Sequence, residues 1–130
     1  MYLKTLVTLI MTILLLNLSF VGEAHAAGVG VFCEVRGLER SKVNVKGRGL
    51  PRGKYFAKIL SGGVWVRSGK KAAISRQVEF EFDSHDDEGP GVTLISPRFI
   101  QNLTVLGLIR DAKTNRLIGK FSSSCEFRED

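Results

Sequence analysis

Val78-Glu79-Phe80-Glu81-Phe82-Asp83 alternates apolar and acidic residues without a break. Successive side chains of an extended strand point to opposite faces, so this segment has one face for a core and one for water. Runs of Val, Ile and Phe with alternating polar residues recur about every eight to twelve positions, broken by clusters of Gly, Pro and Asp. They predict strands over Val29–Arg36, Lys42–Gly47, Lys54–Ser61, Val64–Ser68, Ala72–Asp83, Val92–Ile95, Leu103–Asp111 and Arg116–Arg128. Ser96-Pro97-Arg98-Phe99-Ile100 reads as a short 3₁₀ or helical turn. No amphipathic helix, internal repeat, low-complexity tract or linker stands out, which predicts one domain.

Several faces follow from the alternation. In the first strand Val29, Val31, Cys33 and Val35 share one side, and in the last Phe121, Ser123, Cys125 and Phe127 do. Both cysteines of the chain therefore fall on the apolar side of a terminal strand. In an oxidising compartment two cysteines allow one pairing, Cys33–Cys125. Closing that span restricts the unfolded chain by about 4–5 kcal/mol in the loop-entropy model. Leu103-Thr104-Val105-Leu106-Gly107-Leu108-Ile109 is nearly apolar and predicts a central strand covered on both faces. The strand spacing resembles that of small immunoglobulin-like or fibronectin type III-like sandwiches, which implies an all-β fold of about seven strands. Trp65 does not stand where the immunoglobulin signature places its core Trp, just past the first cysteine. The resemblance is architectural and implies no function.

Residues 1–26 read as a cleavable signal peptide. Lys4 supplies the positive start, Leu6 to Leu16 an apolar run, and Ala24 and Ala26 the A-x-A cleavage pattern. The apolar run is short for a membrane span of about 20 residues. Phe32, directly before Cys33, does not suit a lipobox. The expected mature protein is a single β-sandwich domain over residues 27–130, periplasmic or extracellular, with no transmembrane span left after cleavage.

Catalysis is not expected. Export would leave His85 as the one histidine, and its neighbours Ser84 and Asp86 have side chains that need not converge as a triad requires. No metalloprotease, nucleophile-elbow or phosphate-loop motif is present, and no cofactor is expected. Glu79 and Glu81, on an alternating strand, read as a solvated face. Asp83, Asp86, Asp87 and Glu88 precede Gly89-Pro90-Gly91 and are calcium candidates, because calcium takes clustered carboxylates and loop carbonyls. Their spacing is not that of an EF-hand, and a polar loop between strands is the favoured reading.

Charge is uneven along the chain. Arg36 to Arg76 holds twelve Lys or Arg and one acid, whereas Gln77 to Asp130 holds six basic and ten acidic residues. Such asymmetry points to an anionic partner, or to a mixed surface once the halves interleave in space. Gly62-Gly63 predicts a two-residue hairpin in which Ser61 faces Val64, Leu60 faces Trp65, Ile59 faces Val66 and Lys58 faces Arg67. One side carries Tyr55, Ala57, Ile59, Val64 and Val66, fit for a core. The other carries Phe56, Lys58, Leu60, Trp65 and Arg67, with Lys54 and Lys70 nearby. Aromatic rings stack on sugar rings while Lys and Arg attract acidic groups. Two placements compete: this side is a binding face, or Trp65 lies beneath another strand with the cations snorkelling outward, which the small size of the domain favours. The expected function is an exported, non-enzymatic binding or adhesion module for an anionic glycan, an envelope surface or an acidic protein surface. The alternative is a structural or protein-interaction subunit of the cell envelope or extracellular space. Nucleic acid is not an expected physiological partner. The leader makes a direct prediction: protein recovered after export starts at Ala27, give or take a residue or two, and N-terminal sequencing that finds Met1 or Tyr2 retained contradicts it.

Overall fold

The computed structural model describes residues 27–86 and 88–129. The signal-peptide reading and its cleavage point fall on residues 1–26, outside the described residues, as does Asp87 of the acidic loop. Ten strands follow one another: β1 (Gly28–Arg36), β2 (Arg40–Arg48), β3 (Lys54–Ser61), β4 (Val64–Arg67), β5 (Lys71–Ala72), β6 (Gln77–Asp83), β7 (Val92–Leu94), β8 (Thr104–Asp111), β9 (Leu117–Ser124) and β10 (Glu126–Arg128). They form two sheets, ordered β10-β1-β2-β6-β7 and β4-β3-β8-β9, with β5 paired to β3 beside β4. The fold is an all-β sandwich. Its frame is the immunoglobulin arrangement, with β1, β2 and β6 in the places of strands A, B and E, and β3, β8 and β9 in those of C, F and G. With β4 these make the seven strands expected; β5, β7 and β10 are pieces of two or three residues.

The core lies between the sheets, where the alternation puts it. Val43, Val45, Phe80 and Phe82 from the first sheet meet Tyr55, Ala57, Ile59, Val105 and Ile109 from the second, all buried. At Gly107 a side chain has no room: a Cβ would lie 2.6 Å from Val31 Cγ2. The glycine lets β8 approach β1 closely.

Two predicted strands are corrected. Ala72–Asp83 is two strands in different sheets, separated by a tight turn in which Ser75 and Arg76 both have positive φ. The turn is closed by reciprocal bonds between Ile74 and Gln77. Neither Ser75 nor Arg76 carries the glycine or asparagine that marks such a turn in sequence. Arg116–Arg128 also divides, at Cys125: β9 belongs to the second sheet, and β10 crosses to pair in parallel with β1. Ser96–Ile100 forms a short turn, as expected, in which Phe99 N–H donates to Ser96 O at 3.0 Å.

Face assignments hold where a strand is flanked on both sides and weaken at the edges. Val29, Val31 and Val35 pack against the core and Cys33 is buried within it. Phe121 pairs with Gly107 and Phe127 with Val35, so both take the inward side. They stand at the rim, however, and are 48% and 55% exposed. Val64, assigned to the core side, is likewise exposed at the hairpin tip. β8 is central in its sheet, as expected. Its outer side meets no further layer among the described residues; Leu108, 6% exposed, is flanked in register by Lys58 and Lys120.

Cys33 and Cys125 are disulfide-bonded, with Cα atoms 4.7 Å apart across 92 residues of sequence. Replacing both with Ala is expected to cost about 2–5 kcal/mol, the usual range for a native bridge in a small domain. Denaturant unfolding of wild type and the double variant measures this, and an unchanged midpoint would show the bridge to be dispensable.

Candidate functional site

The two outward faces treat charge differently. On the first sheet, basic β2 pairs with acidic β6: Lys42 faces Asp83 and Lys46 faces Glu79. Counting β10, β1, β2 and β6, the register turns six cations and five acids to this side. The two charged halves of the chain therefore interleave here, and cross-strand opposite charges are mutually favourable.

The acidic loop is organised by a cation of the protein itself. Arg40 Nε and Nη2 donate to Asp83 Oδ1 and Oδ2 at 3.1 and 2.7 Å. Arg40 Nη2 also reaches Glu88 Oε1 at 2.9 Å. His85 N–H donates to Asp83 Oδ1 at 3.0 Å. Burial pushes the Asp83 carboxyl up, but the guanidinium and the His85 amide outweigh it, and its pKa is lowered overall. The bond to Asp83 raises the pKa of Arg40. Asp86 is exposed. Of the calcium candidates, Asp83 and Glu88 thus already hold Arg40. No group of three or more His, Cys, Asp or Glu placed to hold a metal ion occurs among the described residues. Ser84 Oγ, beside His85, accepts the Ser41 N–H at 3.0 Å.

The second sheet turns a different surface outward. Gly62 and Gly63 both adopt positive φ, which a two-residue hairpin of this twist demands. The register is the one the loop implies, with Leu60 opposite Trp65 and Lys58 opposite Arg67. β8 and β9 extend it into rows. Trp65, Leu60, Leu106 and Ser122 form one row, and Arg67, Lys58, Leu108 and Lys120 the next. Phe56 lies opposite Arg110 in a third. Lys54, Lys58, Arg67, Arg110 and Lys120 all face this side, and among the described residues no acid of its strands does. None of the five is in an ion pair among the described residues; the ion-paired cations are Arg36, Arg40 and Arg128.

Trp65 is 49% exposed, so it lies on the open face rather than beneath a strand. Lys58 Nζ stands 5.9 Å from its ring centroid. Phe56 is on the same face but only 2% exposed, because the Arg67 guanidinium stacks 3.9 Å above its ring. Leu60 is half-buried between Trp65 and Leu106. The structure thus brings together all five residues singled out on the hairpin, with different exposures. It adds Arg110 and Lys120, which hairpin reasoning alone could not reach. Both sit at polar positions of their strands, but their place beside Lys58 depends on which strands pair.

The surface presents one ring, two leucines and a row of positive charge. Such a surface offers stacking and long-range attraction.

No protein-family model matches the chain, and no curated protein does. Among solved structures the chain is similar to a domain of the outer membrane lipoprotein Omp28 from Porphyromonas gingivalis. The identity is 13% and the TM-score 0.48, over 81% of this chain and 92% of that one.

The Arg40–Asp83 pair yields a pH test. Because the folded pKa of Asp83 is depressed, its contribution is present above the carboxylate's unfolded value near 4 and is lost as pH falls through the lower folded value. Arg40→Ala leaves a buried carboxylate unpaired and is expected to cost about 3–5 kcal/mol at pH 7. Burial then raises the Asp83 pKa in the variant, so protonation relieves it first, and the gap to wild type narrows toward pH 4.5. Urea unfolding at both pH values reads this; a gap that does not depend on pH means that Asp83 is not the group left stranded.

Proposed function

We propose that this chain is an exported, non-enzymatic binding module, and that the outer face of its second sheet engages an acidic polysaccharide. The observation that carries the reading is the conjunction on one open face, among the described residues, of five cations outside any ion pair, no acid and a half-exposed Trp65. Positive charge alone would suit any polyanion. The ring narrows the choice: its flat apolar surface complements the apolar face of a sugar, while flanking Lys and Arg meet carboxylate or sulfate groups. An acidic protein surface would use the cations and leave Trp65 without a partner. Export rests on the leader-like residues 1–26, and it places the domain where such polymers are met.

Trp65 is the single Trp, so its fluorescence reports on the face alone. Acrylamide is expected to quench it readily in the free protein, and a heparin-like polysaccharide to protect it. Protection should fade with added salt, since the contacts are exposed charges. Trp65→Ala should weaken binding about ten-fold, equivalent to about 1.4 kcal/mol. Adding Lys58→Ala and Arg67→Ala should abolish it. Losing the guanidinium over Phe56 costs about 0.5–1 kcal/mol, so circular dichroism of the triple variant must first show an intact fold. Equal protection by polyglutamate would replace the glycan with an acidic protein partner, and no protection by either would remove the face as a binding site.

A further inference from the structure

At the foot of the same face, away from the hairpin tip, lies a cleft of about 420 Å³ lined by Arg52, Lys54, Lys70 and Lys113 together with Asp111. Three of the cations are delivered by separate local devices. Lys54 opens β3. Lys70 is carried off the sheet where the edge breaks between β4 and β5: Ser68 Oγ takes the Ala57 N–H at 2.8 Å, in place of a strand carbonyl. Gly69 and Lys70 are thereby left out of the ladder. Lys113 is fixed by the turn after β8, in which Asp111 Oδ1 accepts the N–H groups of Lys113 and Thr114 at 2.8 and 3.0 Å. Those two amide bonds, Thr114 first, hold the Asp111 carboxyl below its ordinary pKa.

Four cations line one concavity against a single carboxylate, which is already turned to backbone amides. None of the four is ion-paired among the described residues. Like charges at such spacing repel, and a concave low-dielectric wall focuses their field outward. Nothing in the fold requires them: all four are exposed and none packs in the core. From Lys54 to Leu60, the partner of Trp65, is six residues along β3, or roughly 20 Å at about 3.3 Å each. Lys58, Arg67 and Arg110 occupy the interval. The positive charge is therefore a stripe along β3 that ends in a cleft.

We infer that the cleft is an anion subsite, and that the acidic polysaccharide of the proposed function is a linear chain laid along β3, with one acidic group in the cleft and a ring at Trp65. The orientation rests on the glycan reading of the face; the cleft itself does not.

Inorganic pyrophosphate probes the cleft alone. In an amide NMR titration of the processed protein, Gly53, Lys70 and Ala112 should shift saturably. The shifts should vanish in Arg52→Ala/Lys70→Ala/Lys113→Ala and persist in Trp65→Ala. Equal shifts at Lys42 and Lys46 on the opposite sheet, or none in the cleft, would overturn the subsite. Sulfated oligosaccharides of increasing length then test the track. Wild-type affinity should rise ten-fold or more once the chain spans about 20 Å, because the second contact becomes intramolecular. The cleft variant should show no such rise. A rise that survives in the variant overturns the track. Pyrophosphate binding with no oligosaccharide binding at all overturns the glycan reading, and the track with it, a result distinct from a cleft that stays empty of pyrophosphate.

Discussion

The bond between Cys33 and Cys125 holds the corner on which both sheets close. The chain leaves the second sheet at Ser124, turns at Cys125 and enters the first sheet as β10. Three residues of parallel pairing are a slight hold on a C-terminus, helped by the bond from Gly37 N–H to Arg128 O. Glu34 adds to it on the outer side: it bonds Arg36 and faces Arg128. Those contacts lower its pKa, Arg36 foremost. The disulfide fixes the start of that short strand against the buried middle of β1. Beside it, Gly107 and Gly119 let β8 and β9 come close to Val31 and Val29. The edge strand β9, which carries Lys120 onto the candidate face, is thus positioned from beneath by β1 and from its end by the bridge.

Strand pairing decides what becomes of the uneven charge. The basic segment supplies β2 to one sheet and β3 and β4 to the other. The acidic segment supplies β6, which pairs with β2, and also β8 and β9, which join β3. The acids of that second half are concentrated in β6, the loop after it and the C-terminal residues. The outward positions of β8 and β9 are Leu, Thr, Ser, Arg and Lys. One sheet therefore cancels the asymmetry and the other keeps it. The mixed-surface reading of the charge pattern describes the first sheet, and the second keeps the positive charge on which the proposed anionic partner rests.

Residue types that act locally made much of this legible. Two glycines in a hairpin loop dictate positive φ and hence the register down to Lys58 and Arg67. The period of two placed Val78, Phe80 and Phe82 inside. Two cysteines on inward positions of terminal strands could meet only at a corner. What was not legible depended on partners distant in sequence. Ser75 and Arg76 make a turn whose strain is met by the sheets it joins, so no turn residue marks it. Phe121 and Phe127 have the inward parity of core residues but stand at the rim, and parity does not reveal which strand is at an edge. Trp65 is the converse case: its parity was clear, and its exposure depended on whether a further layer covers the sheet, which none of the described residues does.

Phe56 and Trp65 show why that exposure matters. Both rings face the same side of the same hairpin, and both have a cation from the facing strand. Arg67 reaches far enough to cover Phe56 and removes it from water. Lys58 stands 5.9 Å from the Trp65 centroid and leaves about half of that side chain accessible. An aromatic side chain of this size buries about 150–250 Å² when enclosed. The half left in water forgoes about 2–3 kcal/mol at the usual coefficient for apolar area. That is a substantial part of the margin by which a domain of this size is stable. Stability alone would favour the Trp at an inward position such as that of Val66, its neighbour in β4. Its place on the cationic face, flanked by leucines, is what the proposed polysaccharide accounts for, by completing its burial.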